Sequence, residues 1–204
     1  EGIEKLLVNG QIPAEAMEEV KKLGYLIGRY DNYTDVLQRK ENEPVGSARG
    51  QIPEDCVQLE NGERKTAWLT FDKKTQFMKR CPALWVPTAR ITIPRDLKTY
   101  PYNTRFIDVT TAESLYECYD PLHPLDRTAK RKCGEDLLKY VSSELGLVAG
   151  GEHGRWWCVP YLDYLEGMMS GGYTSWPAGH LIRPKTKDHN PWDEAHNYDM
   201  SDPE

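Results

Sequence analysis

Arg105-Phe-Ile-Asp-Val-Thr-Thr-Ala-Glu113 and Gly146-Leu-Val-Ala-Gly-Gly-Glu-His-Gly154 are two short apolar runs that each stop at a carboxylate, Asp108 in the first and Glu152 in the second. Between them lie a polar loop and a stretch from Asp126 to Leu145 with Ala129, Cys133, Leu137, Leu138, Val141 and Leu145 on one helical face. Asp126 is placed to cap that helix, and Gly146 ends it. Strand, helix and strand in this order form a βα unit whose two strands run parallel and bring their carboxyl ends to one rim. The spacing of 44 positions from Asp108 to Glu152 accommodates the loop, the helix and the return. The expected class is α/β, and two carboxylates on such a rim are a candidate nucleophile and general acid/base.

Upstream, Pro13 and Gly24 bracket a helix at about 13–23, since proline suits a first helical position and glycine the residue after the last. Tyr25-Leu-Ile-Gly-Arg-Tyr-Asp-Asn-Tyr-Thr-Asp35 then reads as a third strand ending in acids. Asp31 and Asp35 suit helix caps and turns, but the density of Tyr30, Asp31, Asn32 and Tyr33 at a strand end also suits ligand contact. A change of pattern at about 51–72, with Asn61-Gly62 between alternating segments, predicts an inserted β-hairpin. Phe77 to Cys81 reads as the tail of a short helix and Pro82 to Val86 as a strand or extended link. Pro87, Pro94 and Pro101 predict a loop over 88–103, leading into the Asp108 strand at 104–109.

The 204 residues, with a net charge of −6 and 39% hydrophobic content, suit one core and give no sign of a membrane span. Mild acidity without a Lys/Arg-rich run argues against nucleic acid as a partner. Six Trp and twelve Tyr against three Phe give rings with polar tips, a combination that carbohydrate sites use. Five Cys form no Cys-x-x-Cys pair and no zinc-like spacing, and Cys133 falls on the buried helical stripe. The chain opens at Glu1 without a Met, which leaves room for a leader or a preceding domain.

The runs Phe106-Ile-Asp-Val109, Asp120-Pro-Leu-His-Pro124, Gly150-Gly-Glu-His-Gly154 and Asp163-Tyr-Leu-Glu-Gly167 resemble the central piece of the (β/α)8 barrel of bacterial glycoside hydrolases related to family 101, the endo-α-N-acetylgalactosaminidases. The resemblance spans about residues 13–180. It implies part of a TIM-type barrel with the hairpin inserted, Asp108 as nucleophile, Glu152 as acid/base and Asp31 as a group holding sugar hydroxyls. It also implies an exported bacterial protein acting on a carbohydrate substrate. Tyr30, Arg29, His153, Trp156 and Trp157 complete the expected substrate contacts; no cofactor and no metal are expected. Arg29 is the expected partner that keeps Asp108 ionised, because Arg105, three residues from Asp108, points to the opposite face.

A complete barrel takes about 250 residues, and only three or four of its eight strands are readable here. The remainder of the barrel is expected from the same polypeptide or from another copy. Two other readings compete: a metal-dependent hydrolase using His123, His153 and His180, and a sugar-binding or scaffold domain whose acids only hold hydroxyls. Adjacent strands about 4.8 Å apart favour a retaining mechanism over an inverting one.

Overall fold

Apolar runs between glycine and proline punctuation resolve into nine strands and three α-helices among residues 2–10 and 12–167, the part that the computed structural model describes. In chain order they are β1 (Leu7–Asn9), α1 (Ala14–Lys22), β2 (Leu26–Asp31), β3 (Asp35–Gln38), β4 (Arg49–Gly50), β5 (Thr66–Leu69), β6 (Gln76–Lys79), α2 (Trp85–Leu97), β7 (Thr104–Ile107), α3 (Arg127–Lys139), β8 (Val148–Glu152) and β9 (Tyr164–Glu166). All of these elements lie within one compact unit, Glu1–Glu166.

The main sheet has the order β1-β2-β7-β8-β9, with every neighbouring pair parallel. The three strands expected from sequence, β2, β7 and β8, are parallel neighbours as anticipated; β1 and β9, three residues each, are too short to show a period. The sheet is strongly curled. In a flat sheet its edge strands would stand about 19 Å apart, yet Asn9 Nδ2 on β1 donates to Glu166 Oε1 on β9 at 3.1 Å. This is a curved half-barrel with helices packed outside, which makes the fold α/β and consistent with part of a TIM barrel.

Alternation along the strands sends Gly28, Tyr30, Thr104, Phe106, Gly150 and Tyr164 to the concave face, where Tyr30 stacks on Phe106 at 5.8 Å and Phe106 on Tyr164 at 6.3 Å. A Cβ at Gly150 would overlap the Tyr164 ring, so glycine is what lets that ring lie across β8. The convex face buries Ile107 and Ala149 under Trp85, Ala89 and Ile93 of α2 and Leu137, Leu138 and the following Val141 of the α3 arm. A smaller cluster of Met17, Ile27 and Tyr102 seats α1.

Helices α1 and α3 lie where expected. Asp126 Oδ1 accepts from Ala129 N at 2.7 Å as the cap of α3, whose last turn widens into a π-turn at Tyr140–Glu144. Three expectations are corrected. The loop predicted over 88–103 is mostly α2: Pro87 falls in its first turn, where no amide bond is lost, and Pro94 costs one bond near its end while Ala89, Thr92 and Ile93 are buried. Gln76–Lys79 is strand rather than helix tail, and Pro82–Leu84 is a 3-10 turn rather than strand.

A second sheet, β4-β3-β6-β5, is drawn from residues 35–79 and so reaches beyond the hairpin expected at 51–72. Asn61-Gly62 does turn the chain, with Gly62 at φ 86°, but only a single bridge, Gln58 to Arg64, flanks it. The regular antiparallel pair is β5 with β6, turning beyond Leu69. No helix among the described residues is long and apolar enough to cross a membrane.

Candidate active site

The alternation that places Tyr30 and Phe106 on the concave face carries Asp108 and Glu152 to the same face, at the carboxyl ends of β7 and β8. Asp108 N donates to Asp31 O at 2.8 Å, which continues the ladder one residue past the strand. Each acid then opens an identical tight turn. Thr110 N donates to Asp108 O at 2.7 Å around Val109 (φ 63°), and Gly154 N donates to Glu152 O at 2.7 Å around His153 (φ 58°). A three-residue turn with positive φ is strained, most of all at a β-branched valine. The turn aims Val109 N at Glu152 Oε2, 3.1 Å away, so the backbone after one acid orients the other.

The two acids follow adjacent parallel strands on one face, and the amide next to Asp108 holds the Glu152 carboxylate. Burial, with the neighbouring charges of Glu152 and Asp35, pushes Asp108 up to about 6; the Tyr30 hydroxyl, donating to Asp108 Oδ2, opposes that rise. Burial and the Asp108 contact push Tyr30 itself above the usual phenol range, so it stays a donor. Asn32 adds a longer contact to Asp108 Oδ2, 3.4 Å from Nδ2. Its own Oδ1 accepts from Thr34 N and Asp35 N, both at 2.9 Å, which fixes the amide with its donor end toward the acids.

A model of the glycosyl hydrolases related to the GH101 family, GH129, matches residues 6–191. The chain belongs to glycoside hydrolase family 129. Among solved structures it is similar to the alpha-N-acetylgalactosaminidase NagBb from Bifidobacterium bifidum in its GalNAc complex (TM-score 0.64, 19% identity, covering 74% of this chain and 23% of that one). The same enzyme with Gal-NHAc-DNJ (TM-score 0.63, 18%, covering 74% and 22%) and free of ligand (TM-score 0.63, 19%, covering 74% and 24%) matches equally. At this identity the likeness shows the shared fold, and the family 129 chain spans about a quarter of the length of these structures. No curated protein sequence matches it.

Several expected site residues of the family 129 chain lie elsewhere. Strand alternation puts Arg29 and Asp31 on the convex face, opposite Tyr30. There Arg105, fully buried, donates through Nε to Asp31 at 2.6 Å and through Nη2 to Asp96 at 2.7 Å, and Arg29 Nη1 pairs with Asp96 at 3.0 Å. Asp31 is therefore a buried structural carboxylate, not a rim group, and Arg29 is not the partner of Asp108; that part falls to the Tyr30 hydroxyl. Trp157 is buried against Gly134 of α3, where an added Cβ would come within 2.8 Å of the indole. It is a packing residue rather than a substrate contact. Trp156 is 76% exposed, with the Arg131 guanidinium of α3 5.4 Å from its ring centre. His153 shapes the turn after Glu152, and its amide donates to Glu166 O at 2.9 Å.

Of the four rings after the acid strand expected to offer a face to the sugar, Trp156, Trp157, Tyr161 and Tyr164, it is Tyr164 that lies on the concave face beside Phe106, while Asn9 and Glu166 are not among the site residues the sequence points to. Glu166 stands in register with Glu152 on the next strand, and the short Tyr-Leu-Glu run after Asp163 was its only signal. Behind the rim runs a buried ion chain: Asp35 and Glu113 both pair with Lys79, at 2.6 and 2.8 Å, and Glu113 also with Lys130 at 2.8 Å. His123 does not approach the acids but joins Cys81 and Cys118, and His180 lies outside the described residues.

Proposed function

We propose that this chain carries the catalytic carboxylates of a retaining glycosidase, with a complex glycan as substrate and a terminal or internal α-linked N-acetylgalactosamine as the sugar cleaved. The observation that carries the reading is the pairing of Asp108 and Glu152: adjacent parallel strands, the same concave face, and the amide of Val109, next to Asp108, donating to Glu152 Oε2 at 3.1 Å. Inverting enzymes need about 6.5–9.5 Å between the acids to admit a water, and retaining ones about 5–5.5 Å. Family membership and the likeness to an alpha-N-acetylgalactosaminidase support the sugar.

In this mechanism Asp108 attacks the anomeric carbon as the glycosidic C–O bond breaks, and the Glu152 proton goes to the leaving oxygen. Glu152 then takes a proton from water, whose oxygen displaces Asp108 and returns it as a carboxylate. Tyr30 and Asn32 hold Asp108 in place for attack and favour its ionised form. The sugar enters from the open concave face, and the remaining strands of the barrel come from the same polypeptide or from a second copy.

The test is to follow the anomers of product by NMR at early times in the intact protein with a p-nitrophenyl α-N-acetylgalactosaminide. Retention is expected, together with loss of turnover in Asp108→Ala. In Glu152→Ala, azide should restore activity by attacking the glycosyl-enzyme without the help of a base. An inverted product refutes the covalent step. Undiminished binding of the sugar without any turnover in the unaltered protein marks a binding module instead.

A further inference from the structure

On the side of the molecule where the insertion meets the barrel, Cys81 Sγ, Cys118 Sγ and a ring nitrogen of His123 converge, all buried and all within 4.8 Å of one another. These residues are far apart or irregularly spaced in sequence, so no metal motif announces them. We propose that they form a structural zinc site that fastens the insertion and the loop after the nucleophile strand to the start of α2.

The geometry suits the ion. With Zn–S about 2.3 Å and Zn–N about 2.0–2.1 Å, tetrahedral ligation puts a sulfur and a nitrogen about 3.5 Å apart. Cys118 Sγ and His123 Nδ1 stand 3.5 Å apart before any ion is considered. The imidazole is held in the required tautomer: His123 Nε2 lies 2.8 Å from Glu54 O, a carbonyl that can only accept, so Nε2 carries the proton and the Nδ1 lone pair faces the thiols. Metal-bound histidines are oriented by such a bond from their other nitrogen. Gln58 N donates to Cys118 Sγ at 3.4 Å, a contact that strengthens when that sulfur becomes a thiolate.

The loop is preformed. Asp120 turns it by accepting from Leu122 N at 2.9 Å, and Cys118 and Leu125 close it with paired backbone bonds of 2.8 and 3.0 Å. Val57, Ala83, Tyr116 and Leu125 surround the site, and such an apolar wall strengthens ligation. Soft thiolates with one imidazole select zinc over magnesium or calcium. In the metal-free form Cys81 Sγ donates to His123 O at 3.4 Å; on binding, both thiols release their protons to solvent and the ion takes their place. Three protein ligands leave the fourth tetrahedral position to a solvent water, unlike structural sites closed by four side chains. Cys81 and Cys118 sit at the two ends of the segment holding α2, β7 and Asp108, so the ion closes that segment on itself.

The test is elemental analysis of the intact protein purified without chelator, followed by exchange with Co2+. One zinc per chain is expected, with Co2+ giving thiolate charge-transfer absorption in the near ultraviolet and strong tetrahedral bands in the visible. Cys118→Ser and His123→Ala should each lose the metal, while Cys133→Ser, outside the cluster, keeps it. Removal by chelator should lower the Tm, and added Zn2+ should restore it. No bound zinc after incubation with Zn2+, or an octahedral Co2+ spectrum without thiolate bands, overturns the proposal. An intact mass two daltons low, showing a Cys81–Cys118 disulfide in the purified protein, also overturns it. The wild-type spectrum decides the matter even where a variant fails to fold, and none of these outcomes depends on glycosidase activity.

Discussion

Replacing Tyr30 by Phe removes the hydroxyl that donates to Asp108 and nothing else of the ring that stacks on Phe106. That bond is the main influence favouring the charged form of Asp108, whose carboxyl is pushed up to about 6 by burial and neighbouring acids even with the bond in place. A hydrogen bond to a charged acceptor contributes about 1.5–3 kcal/mol. Because Tyr30 is 53% exposed and water can partly replace the hydroxyl, we take the low end. At about 1.4 kcal/mol per pKa unit, this raises Asp108 by about one unit. The nucleophile must be ionised, so the acid limb of kcat/KM, which reports the free enzyme, moves from about 6 to about 7. Activity at pH 6 should fall about fivefold relative to wild type, while activity at pH 8 stays nearly unchanged. A pH–rate profile on the intact protein measures this. An acid limb that stays at or below its wild-type position refutes the assignment of Asp108 as the titrating nucleophile. A uniform loss at every pH shows instead that the hydroxyl acts on the sugar.

Other consequences follow from the same geometry. The folded state holds the Asp108 proton more tightly than the unfolded chain, so its stabilising contribution is full below pH 3.8 and is lost as pH rises through about 6. A shift of two units corresponds to about 3 kcal/mol, and with water at the rim we expect Asp108→Asn to gain about 1–2 kcal/mol at pH 8; that gain, read as Tm, should vanish near pH 4. Val109→Gly relieves a left-handed valine, and against the added chain entropy of glycine should stabilise by about 1 kcal/mol in a denaturant titration, with reduced turnover as the Glu152 contact loosens. Gly150→Ala forces a methyl into the Tyr164 ring and should cost about 1–3 kcal/mol; adding Tyr164→Ala should recover part of that Tm loss if the overlap is the cause. Arg105→Met strands Asp31 and Asp96 in the interior and should cost at least about 3 kcal/mol, far more than Lys132→Met on the exposed face of α3.

The part of this fold that sequence patterns convey is the part with long, one-sided periods. The α3 stripe, with its Asp126 cap and Gly146 stop, is readable because each signal acts within one turn of helix. The acid-ended strands β7 and β8 are readable because both are buried runs between loops. Strands β1 and β9 are not, since three residues carry no period and are held by pairing with β2 and β8. The α2 helix is hidden by Pro87 and Pro94, whose cost is small at these positions and is outweighed by burial of the face between them. The cysteine cluster is hidden for a different reason: Cys81 and Cys118 are brought together by tertiary closure across 37 residues, which spacing rules for local metal motifs do not cover.

Asp31 shows most clearly where local chemistry and strand geometry part company. Tyr30, Asp31 and Asn32 are equally polar neighbours at one strand end, but a period of two residues lets only alternate side chains reach the rim. Tyr30 and Asn32 face Asp108; Asp31 goes through to the other side and meets Arg105. The same alternation applied along β7 separates Arg105 from Asp108 on one strand. The sheet thus keeps two charge systems apart: Asp31 and Asp96 neutralised by Arg105 and Arg29 under the helices, and an acid pair on the concave face held by the Tyr30 hydroxyl and the Val109 amide. An arginine beside Asp108 would stabilise its charge but lower its pKa and hold it by an ion pair. A phenol and an amide orient the carboxylate while leaving its charge available to the anomeric carbon, which is what a nucleophile at this position requires.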